Sequence, residues 1–425
     1  MKKMITLSFF LIIVIGQIAL YSADWPKWRG PNSNGVSRET GWNPEALKGN
    51  PEILWKTEIG KGHSSIVVVG DYLYTMGNRM TIVGKDTVFE DMVSCLKVKD
   101  GKEVWRYIYP CAYINYPGPR ATPTVDDGFV YTLSWEGHLY CFYANNGRVK
   151  WMKNLVDANL SHRPNWGFCG SPVIDGDLLI LNAGSGGVAL NKRTGAVIWK
   201  SENVSCTLPT PILFSVGNRH LVGITRGDKI HVKDVETGEE QWTYPWYQGL
   251  DIDPLLTEEG IFMASGRGSR YIETNGKKHK VIMENRRMSV SAWQHYVIMG
   301  DYMYGFARER RKMVLKCFNI TTGEEQWKKD LGDFGSLIGA GKHLVVLTGD
   351  GRLVIANATA EAYQEISQAK VLKMTNNTGL QMPQQNHCWT MPVLANGCIY
   401  VRNCYGELAC VDVSKETFQK LSAGR

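Results

Sequence analysis

CFYANNGRVKW, Cys141 to Trp151, reads as a short apolar strand, a polar turn closed by Gly147, and a second strand ending on tryptophan. Asn and Gly accept positive φ at low cost, while Phe, Tyr and Val suit a pleated, half-buried surface. The layout recurs as CLKVKDGKEVW (Cys95 to Trp105), ALNKRTGAVIW (Ala189 to Trp199), VKDVETGEEQW (Val232 to Trp242) and CFNITTGEEQW (Cys317 to Trp327). In all five the turn glycine stands four residues before the tryptophan, at Gly101, Gly147, Gly195, Gly238 and Gly323. One such unit is a hairpin; five in register are a repeat architecture.

Ahead of each unit lies a second phrase, a Ser/Thr-Pro start, an Asp/Gly turn and an apolar strand. Examples are ATPTVDDGFVYTLS (Ala121 to Ser134), GSPVIDGDLLILN (Gly170 to Asn182) and TMPVLANGCIYVRN (Thr390 to Asn403). The two phrases together give four strands about every 40 to 50 residues, the period of a β-propeller blade. Weaker copies near Gly276, Ala360 and Glu416 bring the expected count to eight, with seven as the other count the spacing allows. The last copy lacks its tryptophan, and PEILWKTEI (Pro51 to Ile59) near the N-terminus carries a spare one, Trp55. That segment is expected to close the ring by joining the C-terminal blade, which removes an exposed sheet edge. The expected fold is thus all-β, an eight-bladed propeller of four-stranded antiparallel blades. Trp55, Trp105, Trp151, Trp199, Trp242 and Trp327 should dock neighbouring blades.

The phrases ALNKRTGAVIW and VKDVETGEEQW resemble the repeat of pyrroloquinoline-quinone (PQQ)-like eight-bladed propellers. That superfamily holds the quinoprotein alcohol dehydrogenases, and also non-enzymatic members such as the lipoprotein subunit of the bacterial outer-membrane β-barrel assembly machine. WPKWRGPNSNGVSRETGW, Trp25 to Trp42, is similar to the opening of secreted bacterial PQQ-like repeat proteins. The resemblance spans about residues 25 to 415 and is specific for fold.

Residues 1–23 read as a signal peptide: Lys2 and Lys3, an apolar run from Ile5 to Leu20, then small residues. No cysteine follows the run, so a lipid anchor is not expected, and the run is short for a membrane span. A periplasmic or secreted monomer is the expectation, with an N-terminal arm at 24–50 and one propeller over 51–425. Charges number 48 Lys and Arg against 41 Asp and Glu, and they are scattered apart from Arg308 to Lys312 and Lys277 to Lys280. Both runs fall at expected hairpin turns, so neither a nucleic-acid partner nor a lipid surface is indicated. Among ten cysteines, Cys95, Cys141, Cys317 and Cys410 occupy a place that other repeats give to Ala189 or Val232. A position that exchanges Cys for Ala and Val wants a small buried group, so packed thiols are expected there.

The first strand of each blade should line the central channel, and the residues just ahead of those strands form a channel-entry face. His63, Arg120, Trp166, Cys169, Asp251, Asp253, Trp293, His387 and Trp389 are the candidates there. Such a set suits a protein segment or a small ligand. The dehydrogenase relatives, by contrast, hold PQQ on a tryptophan floor beside two adjacent cysteines, with Ca²⁺ on carboxylate and amide oxygens and an Asp as base. The resemblance would assign Asp251 or Asp253 to the ion or the base, yet no adjacent cysteine pair exists in this chain. No phosphate loop, nucleophile elbow or local zinc spacing appears either, so no catalytic residue and no metal are expected. A binding or scaffolding module is therefore the primary reading, and a PQQ-dependent oxidoreductase the alternative. Trp25 to Pro31 is read as an arm packing on the ring, with Arg29 pairing to a blade carboxylate.

Overall fold

The computed structural model describes residues 23–415 apart from 114–117, 246–251, 275–278, 292–294, 311, 333 and 375–387. Every element among these residues is a β-strand, and they assort into eight sheets, each built on a four-stranded antiparallel blade. Blades 1 to 7 take four consecutive strands each, beginning at Val67–Val69, Thr124–Asp126, Val173–Asp175, Ile212–Val216, Leu255–Leu256, Val297–Met299 and Gly335–Ala340. Blade 8 uses Val393–Ala395, Cys398–Arg402 and Glu407–Asp412, and takes Ile53–Glu58 as its outer strand. Trp55 lies opposite Cys410, so the N-terminal strand closes the ring in the expected register.

The repeat works by one contact made again and again. Each tryptophan pairs with the small residue named above: Trp105 with Cys95, Trp151 with Cys141, Trp199 with Ala189, Trp242 with Val232 and Trp327 with Cys317. The small side chain is fully buried and leaves room for the indole to lean onto the next blade. There the indole N–H donates to a turn carbonyl: Trp55 to Val98, Trp105 to Ala144, Trp151 to Lys192 and Trp199 to Val235, at 2.8–3.0 Å. The ring covers the turn glycine so closely that a Cβ on Gly147 would sit 2.5 Å from Trp105. With φ at +69° that position also requires the left-handed region, which explains why the glycine recurs.

Blade 5 has lost the tryptophan. Met283 stands in its place opposite Tyr271, and Asn285 takes over the outward contact by donating to Gly323 O at 2.8 Å. In blade 7 Ser367 occupies the place and bonds Pro44 O instead. The core is accordingly distributed as clusters between successive blades rather than gathered at one centre. One of them joins blades 7, 8 and 1. Arg402, fully buried on blade 8, reinforces that junction by donating to Ser64 O, Met76 O and Gly60 O of the blade 1 segment at 2.6–3.0 Å.

The N-terminal arm packs on the ring as expected, and it does so along the inner strands, running into the bore. Trp25 bridges Val68 on the inner strand of blade 1, Pro26 O accepts from Val125 N of blade 2, and Val36–Ser37 pairs in parallel with Gly339 and Ala340 of blade 7. Ser37 Oγ reaches Leu394 O of blade 8 at 2.8 Å. Asp24 and Glu39 bond Gly70 N and Asn396 N, both in turns after inner strands. The arm therefore enters and leaves by the face of those turns, and its tip points at the opposite mouth.

Candidate functional site

The tip of the arm is built by a tight reversal. Arg29 and Gly30 have φ of 61° and 78°, and Gly35 N returns to Arg29 O at 2.8 Å. That turn presents Trp28 and Arg29 to the strand starts of blades 4, 5 and 6. Trp28 Nε1 donates to Asp253 Oδ2 at 2.5 Å, and Thr210 N donates to Asp253 Oδ1 at 2.7 Å. Arg29, only 2 % exposed, donates to Tyr296 O at 2.5 Å and meets His295 Nδ1 at 3.2 Å. The expected ion pair of Arg29 with a blade carboxylate is thus corrected. Its direct partners are the carbonyls of Tyr296 and Asn34 and the His295 imidazole, and Asp253 acts on it through space. Burial pushes the Asp253 carboxyl up, although the Arg29 charge, Trp28 and Thr210 oppose the shift. Burial and then the Arg29 charge hold His295 well below its ordinary value, so that imidazole is neutral.

The mouth residues divide into separate groups. His63 and Trp389 stack with ring centroids 5.1 Å apart, where blades 1 and 8 meet. Burial, and then the charges of Arg120 and Arg402, push His63 down to about 3. Cys169 and Trp166 sit together at the start of blade 3, the thiol lying over the carbonyls of Trp166 and Gly167 at 3.6 and 3.5 Å. Trp166 is 46 % exposed. Asp253, only 4 % exposed, is turned down onto the arm. Asp251, Trp293 and His387 lie outside the described residues, as do Gly276, Glu416 and residues 1–22. The described candidates include a half-buried pair (His63 and Trp389), a more exposed pair (Trp166 and Cys169) and one buried anchor, Asp253.

Two features of the mouth face carried no sequence signal. The second hairpin of blade 1 is long, Tyr72–Val83 paired with Asp86–Lys97, while the corresponding strands of blade 2 are Phe129–Leu133 and His138–Tyr143. Lys61 bridges Asn78, so the tip stands above the mouth, and it exposes Met80, Ile82 and Val83, Ile82 by 71 %. A Cys–Glu–His group also assembles between blades 1 and 2, from positions too far apart to show a spacing pattern.

A closed ring of eight blades, six of them carrying the docking tryptophan, with a filled bore defines a repeat-built β-propeller. The family described as outer membrane protein assembly factor BamB matches residues 89–213 and 184–297. That match covers just under half of the chain, and the fold is that of the PQQ-like repeat β-propellers. No curated protein sequence matches it. Among solved structures, BamB from Moraxella catarrhalis is 18 % identical, with a TM-score of 0.58 over 84 % of this chain and 98 % of that one. Quinohemoprotein alcohol dehydrogenase from Comamonas testosteroni is 13 % identical, with a TM-score of 0.69 over 92 % of this chain and 81 % of that one. The computationally designed Ika8 protein is 11 % identical, at 0.58 over 84 % and 99 %. At these identities the likeness concerns the fold.

The described residues do not fit a quinone with its calcium ion. Both oxygens of Asp253 are already taken, by Trp28 and Thr210, and the space on the axis below the mouth holds Trp28 and Arg29. Cys169 has no adjacent cysteine.

Proposed function

We propose that this protein is an exported binding or scaffolding module that engages a protein segment, or a small ligand, at its channel-entry face. The observation that carries the reading is the occupied bore. A channel sealed by the chain's own arm leaves recognition to the mouth surface, and that surface displays Trp166 and the Met80–Val83 tip. Large exposed apolar side chains raised above a rigid ring are the kind of group that anchors a partner. The family's description as an assembly factor points the same way. Among the described residues no helix is long and apolar enough to cross a membrane, and the leader supports a periplasmic or secreted location.

A photo-crosslinking residue at Ile82 or Trp166 tests this in the producing cell. Both should capture the same partner, whereas one at Arg193, in a turn on the opposite face, should not. Equal capture at all three positions overturns the reading. Reduction of an artificial electron acceptor by purified protein supplied with PQQ and Ca²⁺ would favour the oxidoreductase instead.

A further inference from the structure

Where blades 1 and 2 meet on the mouth face, Cys111, Glu136 and His138 each bring a donor atom within 4.8 Å of the other two. Cys111 follows the outer strand of blade 1 (Glu103–Pro110), while Glu136 and His138 belong to the hairpin between the second and third strands of blade 2. At that spacing some point lies within about 2.8 Å of all three atoms, so shifts of about half an ångström give zinc–ligand distances of about 2.0–2.3 Å.

The surroundings are those of a prepared site. His138 Nδ1 is engaged with Ser134 Oγ at 3.0 Å, and the same oxygen accepts from His138 N at 2.9 Å. With Nδ1 engaged by Ser134, Nε2 would be the nitrogen to take a metal, and Ser134 would be the outer support that metal-bound imidazoles ordinarily have. Ala112 N donates to Glu136 Oε2 at 3.0 Å, which ties the carboxylate to the cysteine segment. Behind them stands Asp91, fully buried. Its Oδ1 accepts from Asn78 and Tyr113, but its Oδ2 has no hydrogen-bond partner. The Cys111 thiol and the Tyr109 hydroxyl lie beside this carboxylate, within reach of it. A buried carboxylate behind a thiol favours a cation in front of it. On the open side, Glu136 and His138 face a cleft also lined by Asn154, Asp157 and Arg163, leaving room for a fourth ligand.

We propose that Cys111, Glu136 and His138 bind a divalent cation of the zinc class, with a solvent-accessible fourth position. One thiolate, one imidazole and one carboxylate select borderline metals over calcium or magnesium. Binding releases the thiol proton to solvent. Arg163 already touches Glu136 Oε1 at 3.4 Å and competes with the metal for it.

Cobalt titration of the metal-free protein tests the site, because thiolate ligation gives a near-ultraviolet charge-transfer band. The wild type should show that band, and one equivalent of zinc should remove it. Cys111→Ser should abolish it, Cys169→Ser should leave it, and Asp91→Asn should weaken cobalt about 10- to 100-fold. Arg163→Gln should tighten binding. Absence of the band in the wild type, or its survival in Cys111→Ser, overturns the proposal. If Cys111→Ser does not fold, the partly exposed Glu136→Gln decides: undiminished cobalt affinity there overturns it equally.

Discussion

Trp28 and Asp253, 225 residues apart, are joined by an indole N–H to carboxylate hydrogen bond of 2.5 Å. This bond fastens the tip of the arm to the start of blade 5 and uses one oxygen of the acidic residue that the resemblance would have assigned to calcium or catalysis. The other oxygen serves Thr210, so Asp253 is an anchor for the plug.

Asp253→Ala should therefore loosen the whole ring. It leaves two N–H donors unsatisfied and Arg29 without its neighbouring countercharge, a loss of about 2–5 kcal/mol. Asp253→Asn keeps an acceptor and should cost less. Urea unfolding followed by tryptophan fluorescence reads both; equal stability of Asp253→Ala and wild type would show that the arm is not anchored there.

The turn glycines separate conformational strain from contact. Gly128 has φ of +76° with open space around a would-be Cβ, whereas Gly147 has φ of +69° with Trp105 at 2.5 Å. Gly128→Ala should cost about 1 kcal/mol and Gly147→Ala about 2–4 kcal/mol, the excess measuring the clash with the indole. Thermal unfolding of the two variants side by side gives the comparison.

Arg402 should tolerate no substitute. Arg402→Lys removes the fork that reaches three carbonyls, and Arg402→Met leaves those carbonyls unpaired. A loss of about 3–5 kcal/mol is expected for Arg402→Met. Limited proteolysis should then cut first near residues 50–60, where the closing strand detaches.

His63 makes stability depend on acidity. Its folded value is held near 3 by burial and by the Arg120 and Arg402 charges, below the ordinary 6.5. The unfolded chain binds this proton first, so the contribution of His63 is intact above pH 6.5 and is lost as pH falls toward 3. With part of the ring open to solvent, the loss is on the order of 2–4 kcal/mol. His63→Gln should flatten the fall of the urea midpoint between pH 6.5 and 4; an unchanged slope would assign the acid sensitivity elsewhere.

The blades were legible in the sequence because their determinants are local. Gly147 and Trp151 are four residues apart, and each copy repeats the same steric bargain with its neighbour. Trp55 could be assigned to the last blade for the same reason, since it was the plate that Cys410 lacked. The substitution of Met283 and Asn285 for a tryptophan was hidden, because neither residue resembles what it replaces. The arm was hidden more deeply. Lys27, Trp28 and Arg29 touch or sense residues on blades 2, 3, 5 and 6, and no periodicity encodes contacts with so many distant segments. Cys111, Glu136 and His138 were missed because the end of the outer strand of blade 1 and a hairpin of blade 2 bring them together.

The parallel pairing of Val36–Ser37 with blade 7, together with the Trp55 strand on blade 8, sets an order of events. Residues 25–58 are synthesised first, yet their partners near 340 and 394–411 are synthesised last. During translation Trp25 and Pro26 can meet blades 1 and 2 early, but Val36–Ser37 and the Trp55 strand must wait until the carboxyl-terminal sheets exist to receive them. A nascent chain stalled before residue 390 would hold a nearly complete but unlatched arc, with both its beginning and its end open to proteases and holdases.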